Sequence, residues 1–140
     1  MWQPPGTFNV SVEAVIVKDG KLLVTRRAHE REHAGGEWEL LSGRVNQNES
    51  LEDAVRREVK EEVGLEVEVL QPINTFHFYR GPDKVEHQGV SFLCKYLGGE
   101  VVLDTTEQIA YKWATPDAAL QLITDKGIQS SIQKISKFVC

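Results

Sequence analysis

Three acids, Glu58, Glu61 and Glu62, close one short stretch of the chain, GRVNQNESLEDAVRREVKEEVGL from Gly43 to Leu65. The stretch carries the marks of a helix. Ser50 is a good N-cap, and Asp53 follows it as in a capping box. No proline or glycine interrupts Leu51 to Val63, and Gly64 supplies a stop. At about 100° per residue, Leu51, Val55 and Val59 form a core-facing stripe. Glu58 and Glu62 fall in or beside that stripe, and Glu61 falls at its edge. Glu58 and Glu62 are a like-charge pair one turn apart, which opposes helix formation. All three acids also lie at the negative end of the helix dipole. Carboxylates close to a core are costly unless a cation accompanies them. The pattern is therefore that of a divalent-metal site, and oxygen donors of this kind suit Mg²⁺ or Mn²⁺. Periodicity alone leaves a second reading equally open, a surface helix with a mixed charged face.

The elements around the stretch would have to hold it in place. Val10 to Val17 reads as a strand, with Glu13 as its exception, and Asp19-Gly20 as a turn. Leu22 to Thr25 is the return strand, ending at Arg26 and Arg27. His29 to Gly36 is a polar loop, and Glu37 to Leu41 a short strand leading to the acidic stretch. Leu65 to Leu70 alternates as a half-buried strand does, and Pro72 interrupts it or marks an edge. A second short strand follows over Asn74 to Arg80, then a turn at Gly81-Pro82-Asp83. His87 to Leu97 is strand-like, Glu100 to Leu103 begins another element, and Tyr111 to Ala114 is a short strand. Thr115 and Pro116 start a helix that runs to about Ile123. Ile128, Ile132, Ile135 and Val139 recur at helical spacing in a terminal amphipathic helix. Helices and hairpins in this order predict an α/β fold of the α+β type, a sandwich with a mixed sheet.

Composition bounds the function. A chain of 140 residues with 41% hydrophobic and 26% charged residues predicts one globular domain. Its net charge of −5, without a basic run, argues against a nucleic-acid polymer or an anionic membrane as partner. A small anionic substrate remains compatible, because bound metal reverses the local charge. Cys94 and Cys140 have no metal or redox spacing, and the N-terminus lacks the regions of a signal peptide. A cytoplasmic setting is expected, and no apolar run approaches the length of a membrane span. Trp2, Phe8 and the strand edges are available to a homodimer.

The spacing within the acidic stretch narrows the chemistry. It runs Gly43, five residues, Glu49, seven residues, Arg57-Glu58-Val59, one residue, Glu61-Glu62, one residue, Gly64-Leu65. This resembles the Nudix box of the Nudix hydrolases, with every constrained position filled. The resemblance implies a mixed sheet between helices, with the box as loop–helix–loop beside it. It also implies roles for matching positions. Glu58, Glu61 and Glu62 would ligate the metal, and Arg57 would hold the acids by ion pairing. Glu49 would support the same network, while Gly43 and Gly64 would allow the turns at either end. The carbonyl of Ser42 would be a further ligand, and a later loop would supply another glutamate, for which Glu107 is the candidate, with Glu100 and Asp104 as rivals. The chain departs from the family at Leu41-Ser42-Gly43, where Pro-Gly-Gly is common, and at Asn48, where glycine is common.

The implied activity is Mg²⁺-dependent hydrolysis of a diphosphate bond in a nucleoside diphosphate linked to another moiety. A nucleoside triphosphate, a nucleotide sugar and a dinucleotide all satisfy that description. Water would attack phosphorus, activated by carboxylate-held metal. Arg26 and Arg27 are candidate phosphate contacts, since a guanidinium fork matches phosphate oxygens; a solvated strand end is the competing reading. Phe76, Phe78, Tyr79 and Trp113 offer stacking surfaces but equally core packing. Two other classes remain: a Nudix-fold nucleotide sensor without catalysis, and a diphosphate isomerase, which would need a reactive cysteine such as Cys94.

Overall fold

The structure, a computed structural model, describes residues 6–139, and their side chains through Ser136. The expectations for Trp2, Cys140 and the Val139 side chain fall outside that range. In chain order the elements are β1 (Asn9–Lys18), β2 (Lys21–Arg27), β3 (Trp38–Glu39), β4 (Leu41–Arg44), α1 (Leu51–Val63), β5 (Glu66–Arg80), β6 (Val85–Gly98), β7 (Gln108–Ala114), α2 (Pro116–Leu122) and α3 (Lys126–Val139). One sheet runs β3-β2-β1-β6-β5, with β4 beside β1 and β7 beside β2. The β1–β6 pair is parallel and the others are antiparallel, so the sheet is mixed, as expected.

Alternation along β1 separates two cores. Val12, Ala14 and Ile16 pack with Val55, Val59 and Val63 of α1. Val15 packs on the other face with Ala119, Ile123, Ile132 and Ile135 of α2 and α3. Asp19 and Gly20 both take positive φ, 51° and 76°, in the turn that joins β1 to β2. Thr115 caps α2 by accepting from Ala118 N at 3.2 Å, with Pro116 at the first position.

Three expectations are corrected. Residues 66–80 form one strand rather than two. Shifts of register at Val69/Gln71 and Pro72/Asn74 absorb the irregularity, and β5 is the outer strand, where a proline without N–H is tolerated. The residues from Glu37 to Leu41 do not make one strand but divide between β3 and β4. Residues 100–103, expected to begin another element, lie in neither a helix nor a strand. Instead Val102 N donates to Val63 O and Asp104 N to Glu62 O, each at 2.9 Å. These bonds satisfy carbonyls that the end of α1 would leave without partners.

The exceptional acid of β1 lies on the α3 side. Glu13 is buried, and Ser91 Oγ donates to its Oε1 at 2.7 Å, with Ser131 of α3 3.1 Å from Ser91. Burial pushes the Glu13 carboxyl from 4.5 up to about 7, against the lowering effect of the Ser91 bond. A raised folded value means that the contribution to stability is complete below about pH 4.5 and lost as pH rises through about 7. The loss is about 3 kcal/mol. Glu13→Gln should therefore match the wild type near pH 4 and melt at a higher temperature at pH 8. Thermal denaturation across that range measures the crossover, and parallel curves would contradict it.

Candidate active site

The site starts at a contact between β4 and α1. Gly43 faces the helix, and a Cβ placed on it would run into the Glu58 carboxyl group. Any larger residue here would have to displace the Glu58 carboxyl. Ser42 precedes it in β4, so the Ser42 backbone is one residue from the surface on which Glu58 rests. The chain then turns into α1 through a loop in which Val45 N donates to Val10 O at 2.9 Å. Asn48 takes φ 66°, the left-handed region that asparagine tolerates in place of glycine. Ser50 caps α1 by accepting from Asp53 N at 3.1 Å, and Gly64 ends it at φ 74°.

Arg57 is the hub of the acids. Its Nε donates to Glu49 Oε2 at 2.7 Å and its Nη2 to Glu49 Oε1 at 2.9 Å, a two-point clamp. Its Nη1 donates to Glu58 Oε1 at 2.8 Å and to Glu61 Oε2 at 3.3 Å. A further bond from Nη2 to Arg44 O, 2.8 Å, ties the clamp to the end of β4. The Arg57 guanidinium, helped by Asn46 N, holds the Glu49 carboxyl down to about 2. Arg57 itself is raised above the ordinary arginine value by Glu49 first and then by Glu58.

Glu58 and Glu62 respond differently because they are drier. Burial raises Glu58, opposed by Arg57 and reinforced by Glu61 and Glu107. Glu62 is buried and its Oε2 has no hydrogen-bond partner. Burial pushes its carboxyl up to about 8, with Glu58, Glu39 and Glu107 adding repulsion. Such an orphaned acceptor costs free energy unless a cation or donor reaches it. Among the described residues no three acids or histidines are yet gathered into one ligand group. The donor set is nevertheless all oxygen, as a hard divalent cation prefers, and the orphaned Glu62 oxygen fits one.

Glu107 enters the same field of charge from the loop before β7. Asp104 shapes that loop, its Oδ1 accepting from Thr106 N at 3.1 Å and from Thr106 Oγ1 at 2.7 Å. Glu107 O accepts from Ala28 N at 2.9 Å, and its carboxylate pairs with Arg31. Glu100 is exposed beyond the end of α1.

The two arginines at the end of β2, the candidate phosphate contacts, both bond to neighbouring parts of the fold. Arg27 is buried, with Nη1 donating to Glu39 Oε1 at 3.1 Å and Nε to His33 O at 2.8 Å. Arg26 Nε donates to Gly36 O at 2.8 Å. Both brace the 29–36 loop, which is a succession of turns and not a helix, so His29 and His33 are not stacked one turn apart.

Glu39 is the residue that sequence reasoning missed. It is buried opposite Thr25 and accepts from Gln108 Nε2 at 2.8 Å. Burial raises its carboxyl, with Gln108 and Arg27 pulling it back. Thr25 Oγ1 and Gln108 Oε1, close to Glu39, are also buried without partners. The signal available was an acid between Trp38 and two leucines, where a surface strand would put it in water.

Comparison with known proteins bears on this arrangement. A family model described as the NUDIX domain matches residues 7–134. The chain belongs to the Nudix family. Among relatives of this Nudix protein, a MutT-like protein from Streptomyces ambofaciens is 38% identical over 117 residues, covering 81% of this chain and 68% of the relative. A CTP pyrophosphohydrolase from Escherichia coli strain K12 is 32% identical over 110 residues, covering 79% and 78%. The crystal structure of a MutT protein from Methanosarcina mazei Go1 superposes with a TM-score of 0.79 at 24% identity, covering 97% of this chain and 98% of that one. That likeness establishes the fold. The sandwich with a mixed sheet, and the Nudix hydrolase class read from the box, both agree with these findings.

Proposed function

We propose that this Nudix hydrolase is a divalent-metal-dependent pyrophosphohydrolase. Its substrate is a nucleoside diphosphate linked to another moiety, and it works in a cytoplasmic setting. The observation that carries the reading is the buried, partnerless Glu62 oxygen beside Glu58 and the Arg57 clamp. Glu58, Glu61, Glu62 and the Ser42 carbonyl would hold Mg²⁺, or Mn²⁺. A cation held there supplies charge neutralisation at the diphosphate and makes water more acidic. Arg57 takes one oxygen each of Glu58 and Glu61, which leaves the other oxygen of each for ligation. Glu49 fixes Arg57, and so fixes both acids. Glu107, which adds to the repulsion at Glu58 and Glu62 and pairs with Arg31, would accept a proton from attacking water.

The isomerase reading loses its nucleophile. Cys94 is buried in the α1 core and its thiol is pushed up to about 12, so almost none is thiolate at neutral pH. The sensor reading is disfavoured by the complete set of box acids.

The experiment is incubation with Mg²⁺ and a panel of nucleoside triphosphates, nucleotide sugars and dinucleotides, with products separated by chromatography. Cleavage at a diphosphate bond, abolished by EDTA, is expected for at least one compound. Unchanged compounds throughout, with tight nucleotide binding, would replace this reading with the sensor.

A further inference from the structure

β4 divides two faces. Gly43 turns toward Glu58 on the α1 side, whereas its neighbour Arg44 stands opposite Ser11, whose strand neighbour Val12 belongs to the α1 core. Alternation therefore sends the Arg44 side chain to the other face. From there a strip of side chains crosses the sheet. Ser11 Oγ lies 3.4 Å from His87 Nδ1. His87 stacks on Phe78 across the β6–β5 pair, with centroids 4.5 Å apart and planes at 9°. Phe78 in turn stacks with Phe76, whose ring fills the space above Gly89. Arg80 closes the strip, its guanidinium 4.9 Å from the Phe78 ring centre.

Charge along this strip is out of balance. Arg44 and Arg80 are both exposed, and among the described residues neither side chain has a carboxylate partner; Arg26 also lacks one but bonds to Gly36 O, whereas Arg27, Arg31, Arg56 and Arg57 each pair with an acid. Arg80 is lowered from the ordinary arginine value by desolvation first, then by the nearby Arg27. His87 is lowered by burial, then by Arg80 and Arg44, so both guanidiniums act on one ring. Two guanidiniums that repel each other and have no acid between them give the strip a positive field, which attracts anions. The rings have already stacked on one another, so what the strip offers a ligand is charge at its two ends. Arg44 also connects to the acids, because its carbonyl accepts from Arg57.

We propose that Arg44 and Arg80 form an anion subsite, and that the preferred substrate carries a phosphate group beyond the diphosphate being cleaved. The proposal rests on the hydrolase reading above. That phosphate is the third phosphate of a nucleoside triphosphate or a phosphate on the ribose of a dinucleotide. Guanidinium forks bind either in the same way.

Two pairs of probes separate these sources: a nucleoside triphosphate against its diphosphate, and NADP⁺ against NAD⁺. The measured quantity is the ratio of kcat/KM within each pair, with Mg²⁺. In the wild type at least one ratio should exceed about tenfold, the scale of one charge-assisted phosphate contact. Arg80→Gln and Arg44→Gln should each bring that ratio toward one, chiefly by raising KM for the phosphate-bearing member. Lys126→Gln removes equal charge at the start of α3 and should leave the ratio as in the wild type. Inorganic phosphate should inhibit the wild type competitively, and more weakly in Arg44→Gln/Arg80→Gln. Ratios near one in the wild type, or a ratio unmoved by both arginine substitutions, would overturn the subsite. Absence of turnover for every probe and for the wider panel would overturn the hydrolase reading instead.

Discussion

Glu62→Gln is expected to make the metal-free protein more stable while removing its activity. The side chain is buried, one oxygen lacks a partner, and three other carboxylates repel it. Its folded value of about 8 lies above the ordinary 4.5. The corresponding stability is thus present below about pH 4.5 and lost as pH rises through about 8, by an amount on the order of a few kcal/mol. Glutamine has nearly the same shape and does not ionise. The variant should therefore melt at a higher temperature than the wild type at pH 8 in EDTA. Added Mg²⁺ should raise the wild-type melting temperature, by about 2.7 kcal/mol of stabilisation at a hundredfold excess over Kd. It should do much less for the variant. Turnover should fall by about a thousandfold, the scale of losing several kcal/mol of metal-assisted charge stabilisation. A variant less stable than wild type at pH 8, with normal turnover, would make Glu62 an ordinary structural residue.

Arg57→Ala is expected to cost more than any other substitution outside the ligands themselves. Four hydrogen bonds to carboxylates and one to the Arg44 carbonyl depend on this guanidinium. Without it Glu49, Glu58 and Glu61 lose their common partner, and the anchor between loop and helix goes with it. Outer partners of metal ligands are typically worth 10–100-fold in affinity or rate. Arg57 serves two expected ligands at once, so the upper end, about a hundredfold in kcat/KM, is the expectation. Arg57→Lys should recover little, because one ammonium cannot reproduce the two-point clamp on Glu49. Mg²⁺ titration by calorimetry should show the weakening directly. Unchanged affinity and rate in Arg57→Ala would mean that the acids are placed by α1 alone.

The sequence and the structure agree best where signals are local. Ser50, the uninterrupted run to Val63 and Gly64 act within one or two turns, and α1 has those bounds. The acids of the box sit on that helix, so their neighbourhood could be read from spacing. Glu39 could not, because a strand of two residues has no period to read. Its partners Arg27 and Gln108 come from β2 and β7, and only the sheet brings them together. The Arg27 pairing is hidden in the sequence for the same reason: a strand-end arginine looks solvated until the sheet brings Glu39 beside it. Pro72 signalled a break, yet an outer strand makes no use of the missing N–H on its open side. Residues 100–103 have strand-like composition, but Val102 N, and Asp104 N just after them, are taken by the end of α1.

Those last hydrogen bonds have a kinetic consequence. Val102 N and Asp104 N are held by the carbonyls of Val63 and Glu62, so the segment after β6 and the final turn of α1 must open together. The same segment leads directly to Asp104, Thr106 and Glu107. Amide hydrogen exchange at Val102 and Asp104 should therefore be slow and should share one rate with the last turn of α1. Metal bound at Glu62 would slow both by the same factor. The loop and the acidic turn would then form one cooperative opening unit, and the lifetime of its closed form would bound how long a bound cation is retained.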